Sequence, residues 1–413
     1  MAGSSTGRGS ALGRCLGTSP ETFARDHWGT APLLSRAGTL GDGGFTDLFS
    51  VEAVDELVAR RGVRTPFVRM AKEGSVLPAG RFTGPAGYGA EVGDQLSSEK
   101  VLAEFGAGAT IVLQGLHRLW PPLIDFTRRL VAEIGHPAQV NAYVTPPSSR
   151  GFDAHYDTHD VFVLQVAGEK HWRIHSPVHV DPLADQPWSA HADDVARAAQ
   201  GEPVIDAVLT AGDALYLPRG WIHSAEALGD TSVHLTVGMS AYTRADVVDA
   251  LLGLVGDTPA LRSSLPLGVD VSDPEELRPI VDSVLADLAN ALAQRSDRAA
   301  ELVAKGLGSR FEQQTRPEPV GPVQTLAAAA LLTTTHRVRL REALGASVED
   351  ADDTVRLRAR GRALVFPAEA GPALRHLLTG EPVAVGDLPG LDAASAVVVA
   401  RRLLREGYVV TAG

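Results

Sequence analysis

Cysteine is nearly absent: Cys15 is the only one in 413 residues. That excludes an intramolecular disulfide and any zinc or iron–sulfur site built on several cysteines. Long apolar runs are missing as well, since no window approaches the roughly eighteen uninterrupted apolar residues of a membrane span. Residues 1–10 also lack the apolar core of a secretory signal. The expectation is a cytoplasmic protein with no membrane contact. Positive charge is in deficit, thirty-eight Lys and Arg against fifty Asp and Glu, for a formal net charge of −12. This is the wrong sign for gripping phosphate backbones over a broad face, but it suits steering toward a basic partner.

What is present is enough to fold. Hydrophobic residues make up 44% and charged residues 21%, so the chain can bury sizeable cores, and its length implies two or three domains. Residues 1–20 are rich in Gly, Ser and Thr and read as a disordered tail. From residue 21 to 243, short runs such as Ala109-Thr-Ile-Val-Leu, Asn141-Ala-Tyr-Val-Thr, Val161-Phe-Val-Leu-Gln-Val, Ala214-Leu-Tyr-Leu and Ser232-Val-His-Leu-Thr-Val read as strands. One helix interrupts them, starting at Pro121 and stopping at Gly135. Over 244–315 the spacing of Leu251, Leu254, Val255, Val281, Leu285, Leu288 and Leu292 changes to three and four, which predicts amphipathic helices. Their apolar stripe predicts a homodimer.

Residues 316–413 open on a Pro-rich linker and then read as helix, helix and closing strand, the order of a winged helix. Basic residues do not crowd the second helix beyond Arg401, Arg402 and Arg405. Direct DNA binding is therefore disfavoured, and a structural or oligomer-forming module is expected.

With thirteen histidines in the chain, a His-x-Asp tripeptide carries little by itself, and three occur. His179-Val-Asp181 and His191-Ala-Asp193 sit in a Pro-, Ala- and Asp-rich stretch and read as loop. His155-Tyr-Asp157 is followed by a strongly apolar strand, and on an extended backbone residues i and i+2 project from one face. A third ligand candidate, His223, follows the turn in Leu215-Tyr-Leu-Pro-Arg-Gly-Trp-Ile-His. Two imidazoles and a carboxylate match the set that binds non-haem Fe(II) and leaves positions open. Such a site keeps about one net positive charge, which suits the 2-oxoglutarate dianion as co-substrate. Its far carboxylate needs a cation, and the residues alone leave Lys170 and Arg173 as rivals, with Lys170 also readable as a surface hairpin lysine.

The ordered run from Asn141-Ala-Tyr-Val-Thr through His155-Tyr-Asp157 to Gly168-Glu-Lys-His-Trp-Arg, then Leu215 to His223 and Ser232-Val-His-Leu-Thr, resembles the JmjC-type ribosomal oxygenases. The resemblance implies a mainly β double-stranded β-helix of the jelly-roll or cupin type, followed by a helical dimerisation region and a C-terminal winged helix. It implies an Fe(II)- and 2-oxoglutarate-dependent dioxygenase that hydroxylates a histidine or arginine side chain of a ribosomal protein, with dioxygen as oxidant. His155, Asp157 and His223 become the iron ligands. Lys170 becomes the partner of the distal carboxylate of 2-oxoglutarate, Thr236 faces the co-substrate, and Asn141 and Tyr143 face the substrate. The pattern departs at Val112 and Gly238, where polar pocket residues of the histidine-hydroxylating members fall. Neither can hydrogen-bond a substrate imidazole. Alternatives of the same chemistry are a hydroxylase of a peptide natural product and a JmjC lysine demethylase; a non-catalytic cupin-like scaffold is the alternative without it.

Overall fold

Nine strands pair into one sheet in the first of two compact units, which end and begin at Ala241 and Tyr242. The structure is a computed structural model and describes residues 10–412 apart from 42, 43, 90, 148, 150–152 and 257. The strands are β1 (Leu33–Ser35), β2 (Val68–Lys72), β3 (Ser75–Val76), β4 (Thr110–Leu113), β5 (Ala138–Thr145), β6 (Asp160–His175), β7 (Ile205–Leu209), β8 (Ala214–Leu217) and β9 (Ile222–Met239). Their order is β1-β8-β6-β9-β5-β4-β2-β3, with β7 on the far half of β6. This antiparallel arrangement is the one expected of a cupin-type fold.

The two longest strands, β6 and β9, pair antiparallel over most of their length, with an irregularity between Leu228 and Val233. Near-continuous apolar sequence in β6 reflects burial on both faces. Alternate residues serve two cores: Phe162, Leu164 and Val166 join the larger one, and Val161 and Val163 a smaller one with Trp172, Ile174 and Leu217. Helix Pro121–Ile134 covers the larger core with Leu123, Phe126 and Leu130 and ends on Gly135 at φ +72°, a left-handed cap that suits glycine.

Several expectations need correcting. The β block holds more than one helix: Pro20–Asp26, Val51–Arg60, Ser98–Gly106 and Ala192–Ala198 are helical too. Asp193 therefore stands in the first turn of a helix rather than in a loop. Residues 1–9 lie outside the described residues. From Ser10 on, the expected tail is folded: Ala11, Cys15 and Leu16 are buried. Glu133 accepts hydrogen bonds from Ser10 Oγ and from the main-chain N–H groups of Ala11 and Leu12 at 2.7–2.8 Å. A few buried apolar side chains and one exposed carboxylate anchor, Glu133, order this segment, which composition alone did not show.

In the second unit, helices Arg244–Val255, Pro274–Ala293 and Ser296–Gln314 follow one another, the first opened by a capping box between Thr243 and Asp246. After helix Pro322–Leu331 come helix Gly371–Leu377, helix Ala393–Arg405 and strand Val409–Ala412. Asp392 caps the second of these through the N–H groups of Ala394 and Ser395. An antiparallel meander of Ser347–Ala351, Thr354–Ala359 and Arg362–Pro367 precedes them; sequence reading did not anticipate it.

Candidate active site

A cavity of about 250 Å³ opens on the face of the sheet built by β2, β5, β6 and β9. The register explains its lining, because opposed residues of paired strands share a face. Tyr143 stands opposite His234, and Val163 opposite Thr236, and all four line the cavity with Arg69, Thr110, Lys170, Trp172, Trp188 and Leu217.

His155, Asp157 and His223 line the same cavity. His155 and His223 pair as an isolated antiparallel bridge, and their ring centroids are 4.5 Å apart. Asp157 Oδ2 lies 3.9 Å from His223 Nε2. His155 Nδ1 is 2.7 Å from the carbonyl oxygen of Asp153, and His223 Nδ1 is 3.0 Å from that of Trp221. A carbonyl only accepts, so each Nδ1 carries the proton and donates, which puts each ring's lone pair on Nε2, the nitrogen a metal would take. Among the described residues no three His, Cys, Asp or Glu side chains already stand in a complete metal-ligating arrangement. The case for these three rests on their shared cavity and on this fixed tautomer.

Electrostatics point the same way. Burial pushes His223 down to about 4, with His155 adding to the fall and Asp157 opposing it, so the ring is neutral and able to ligate. Burial alone would raise the Asp157 carboxyl, but His223, His159, His155 and Arg69 together hold it below its ordinary value.

Lys170 is 4% exposed. Its ammonium lies 3.4 Å from Thr145 Oγ1 and 5.8 Å from the Trp172 ring, and no carboxylate among the described residues pairs with it. Burial lowers it to about 7. A desolvated cation without a counter-charge is costly, so an anion in this cavity fits. Arg173, the rival anchor, is half exposed beside Asp206 and outside the cavity lining.

Thr236 lines the cavity, as does Tyr143, whose ring stacks on His234 at 5.1 Å. Asn141 is not among the lining residues; its amide oxygen accepts from the Gly115 N–H at 3.0 Å. Val112 is fully buried opposite Tyr143 and Arg69. His179 and Asp181 stay in a loop, and Asp181 faces Arg219 at 3.4 Å.

Sequence reading missed Arg69, Thr110, Trp172, Trp188 and His234. Two carried a signal: His234 is two residues before Thr236 and Trp172 two after Lys170, so each shares a strand face with a residue already singled out. Burial holds the His234 imidazole well below its ordinary value, with Lys170 adding to it.

The chain is similar to several known proteins. The model of the JmjC domain matches residues 122–247. The chain is 30% identical over 330 residues to the bifunctional lysine-specific demethylase and histidyl-hydroxylase NO66 of Drosophila persimilis, covering 73% of this chain and 43% of that protein. It is 35% identical over 233 residues to ribosomal oxygenase 1 of Gallus gallus, covering 54% of this chain and 35% of that protein. The chain thus spans less than half the length of these relatives. Among solved structures, the ribosomal oxygenase YcfD of Escherichia coli superposes with a TM-score of 0.52 at 18% identity, over 96% of this chain and 98% of that one. At that identity the likeness is one of fold.

Proposed function

Because this chain carries a JmjC domain over residues 122–247, we propose that it is an Fe(II)- and 2-oxoglutarate-dependent protein hydroxylase acting on a histidine or arginine side chain of a ribosomal protein. The observation that carries this reading is the convergence of His155, Asp157 and His223 on one cavity, with each Nδ1 committed to a main-chain carbonyl.

His155 and His223 would hold Fe(II) through Nε2 and Asp157 through its carboxylate. Lys170 would take the distal carboxylate of 2-oxoglutarate, with Thr236 beside it and Tyr143 bordering the substrate. When bound, ferrous iron with 2-oxoglutarate and dioxygen supplies an oxidant strong enough to hydroxylate an unactivated C–H bond, with succinate and carbon dioxide as coproducts. The chain supplies placement: the main-chain bridge between His155 and His223, which opens β9, fixes the ligands, and Val161, Val163, Trp172 and Leu217 make an apolar wall that limits water around them. Asn141 would act one step removed, by holding the Gly115 turn.

The proposal extends to organisation: a catalytic domain over 21–243, a dimerisation region over 244–315 and a winged-helix domain over 316–413, in a cytoplasmic homodimer. Val281, Val284 and Leu285 lie exposed on helix Pro274–Ala293, which supports a second copy as their cover. The order of the last two helices and closing strand supports the winged helix. Arg401 donates to the carbonyl oxygens of Ala329 and Leu332, and Arg402 to that of Val365 while lying over Phe366. Both are engaged within the unit, which argues against direct DNA contact and leaves a basic ribosomal protein as the favoured partner of this acidic chain.

Incubation with Fe(II), 2-oxoglutarate and ribosomal proteins, followed by mass spectrometry, tests the function. A stable gain of one oxygen on a histidine or arginine is expected. Formaldehyde release without that gain, or oxidation only of free short peptides, would overturn the assignment. A monomeric mass in solution would overturn the dimer.

A further inference from the structure

Along β9 the cavity-facing row runs His234, Thr236 and then Gly238, because alternate residues of a strand share a face. Gly238 brings no side chain to that row. Across the register, Val161 stands opposite Gly238 and Val163 opposite Thr236, and both valines line the cavity. At the Gly238 end, these two central strands therefore offer the cavity only hydrocarbon and bare backbone.

The space above Gly238 is taken from elsewhere. A Cβ built on Gly238 would lie 2.7 Å from both Cδ2 and Nε2 of the His159 ring, closer than real Cβ atoms approach. His159 comes from the short connection between Asp157 and β6. It is half-buried and stands two residues beyond Asp157. An imidazole thus reaches the edge of the metal-ligand group only because residue 238 is glycine.

We propose that His159, seated against Gly238, is a specificity-determining residue that contacts the substrate side chain presented beside His155, Asp157 and His223. It supplies the polar group that β6 and β9 lack there and selects a target side chain able to hydrogen-bond over an aliphatic one. This rests on the oxygenase reading above. A site that hydrogen-bonds its substrate discriminates through the cost of leaving those buried polar groups unpaired.

The test compares wild type with His159→Ala, His159→Gln, Gly238→Ala and the double variant His159→Ala/Gly238→Ala, using proteins extracted from ribosomes as substrate. Oxygen incorporation gives KM and kcat, and direct titrations with cobalt(II) and with 2-oxoglutarate report the metal and co-substrate sites. His159→Ala is expected to raise KM for the protein substrate about tenfold, the size of one lost polar contact, and more than it lowers kcat. His159→Gln keeps part of the affinity. Gly238→Ala, which removes no polar group, gives the same defect by displacing the ring, and the double variant is no worse than either single one, the non-additivity of a shared contact. A wild-type KM in His159→Ala, or independent additive effects of the two substitutions, would overturn the inference. So would a loss of cobalt affinity in His159→Ala, which would make the residue a metal ligand. If the wild type forms no succinate from 2-oxoglutarate, the oxygenase reading fails and the inference fails with it.

Discussion

His155 and His223, sixty-eight positions apart in sequence, are joined by main-chain hydrogen bonds in both directions: His155 N–H to His223 O at 3.2 Å, and His223 N–H to His155 O at 2.8 Å. This pair fixes the separation of the two rings before any metal arrives. Asp157, two residues on, is delivered to the same cavity by the same stretch of chain, and its own carbonyl accepts from Gly220 N–H at 2.9 Å. The proposed metal site is therefore preorganised by backbone, which lowers the entropy lost when a ligand set closes on an ion.

Asp157→Ala should abolish 2-oxoglutarate turnover and weaken metal binding by several orders of magnitude while leaving the chain folded, since Asp157 is half-buried at a cavity wall and not in a core. Cobalt titration and far-ultraviolet circular dichroism check the two halves. Wild-type succinate formation in the variant would remove Asp157 from the ligand set.

Lys170 gives a pH dependence. Its ammonium is held at about 7 by burial, well below the usual lysine value, so above pH 7 the ligand-free folded protein carries it neutral. A dianion binds the protonated form, so 2-oxoglutarate affinity should fall as pH rises through 7, and binding at pH 8 should take up a proton. For folding the sign is opposite: between pH 7 and the ordinary lysine range the unfolded chain binds the extra proton, so the burial penalty on stability is largest below pH 7 and is relieved as pH rises. Calorimetry in buffers of different ionisation heat measures the uptake. Lys170→Ala should lose it and need at least tenfold more 2-oxoglutarate; an unchanged requirement would remove Lys170 as the anchor.

Gly168 sits at φ +64°, and a Cβ there would run into the carbonyl oxygen of Thr231. Glycine is required twice over, by conformation and by close approach. Gly168→Ala should cost about 2–4 kcal/mol of stability, read as a shift of the urea midpoint. Because Lys170 is two residues away on β6, the same variant should weaken 2-oxoglutarate binding. A midpoint within error of wild type would show that the β6–β9 irregularity is pliable.

Glu133 accepts three hydrogen bonds from the segment that begins at Ser10. Glu133→Ala leaves two main-chain N–H groups without that partner and, with water able to reach them, should cost about 0.5–1.5 kcal/mol. It should also expose Arg14 to trypsin, cleaved early in the variant and late in wild type. Equal cleavage rates would show that burial of Ala11, Cys15 and Leu16 suffices to hold the segment.

By itself the sequence determined the candidate ligand set and its local supports. On an extended backbone the i, i+2 spacing puts His155 and Asp157 on one face, the apolar run of β6 demands burial, and the proline start and glycine stop of helix Pro121–Ile134 follow from backbone geometry. These are short-range consequences of residue type. Long-range pairing is not, and it decided the rest. Only the register of β5, β6 and β9 brings Tyr143, His234 and Thr236 to one wall, assigns Lys170 rather than Arg173 to the cavity, and turns Asn141 toward Gly115. Only the close approach of His159 to Gly238 gives that glycine a meaning, because a residue without a side chain leaves no pattern in sequence and is defined by whatever fills its place.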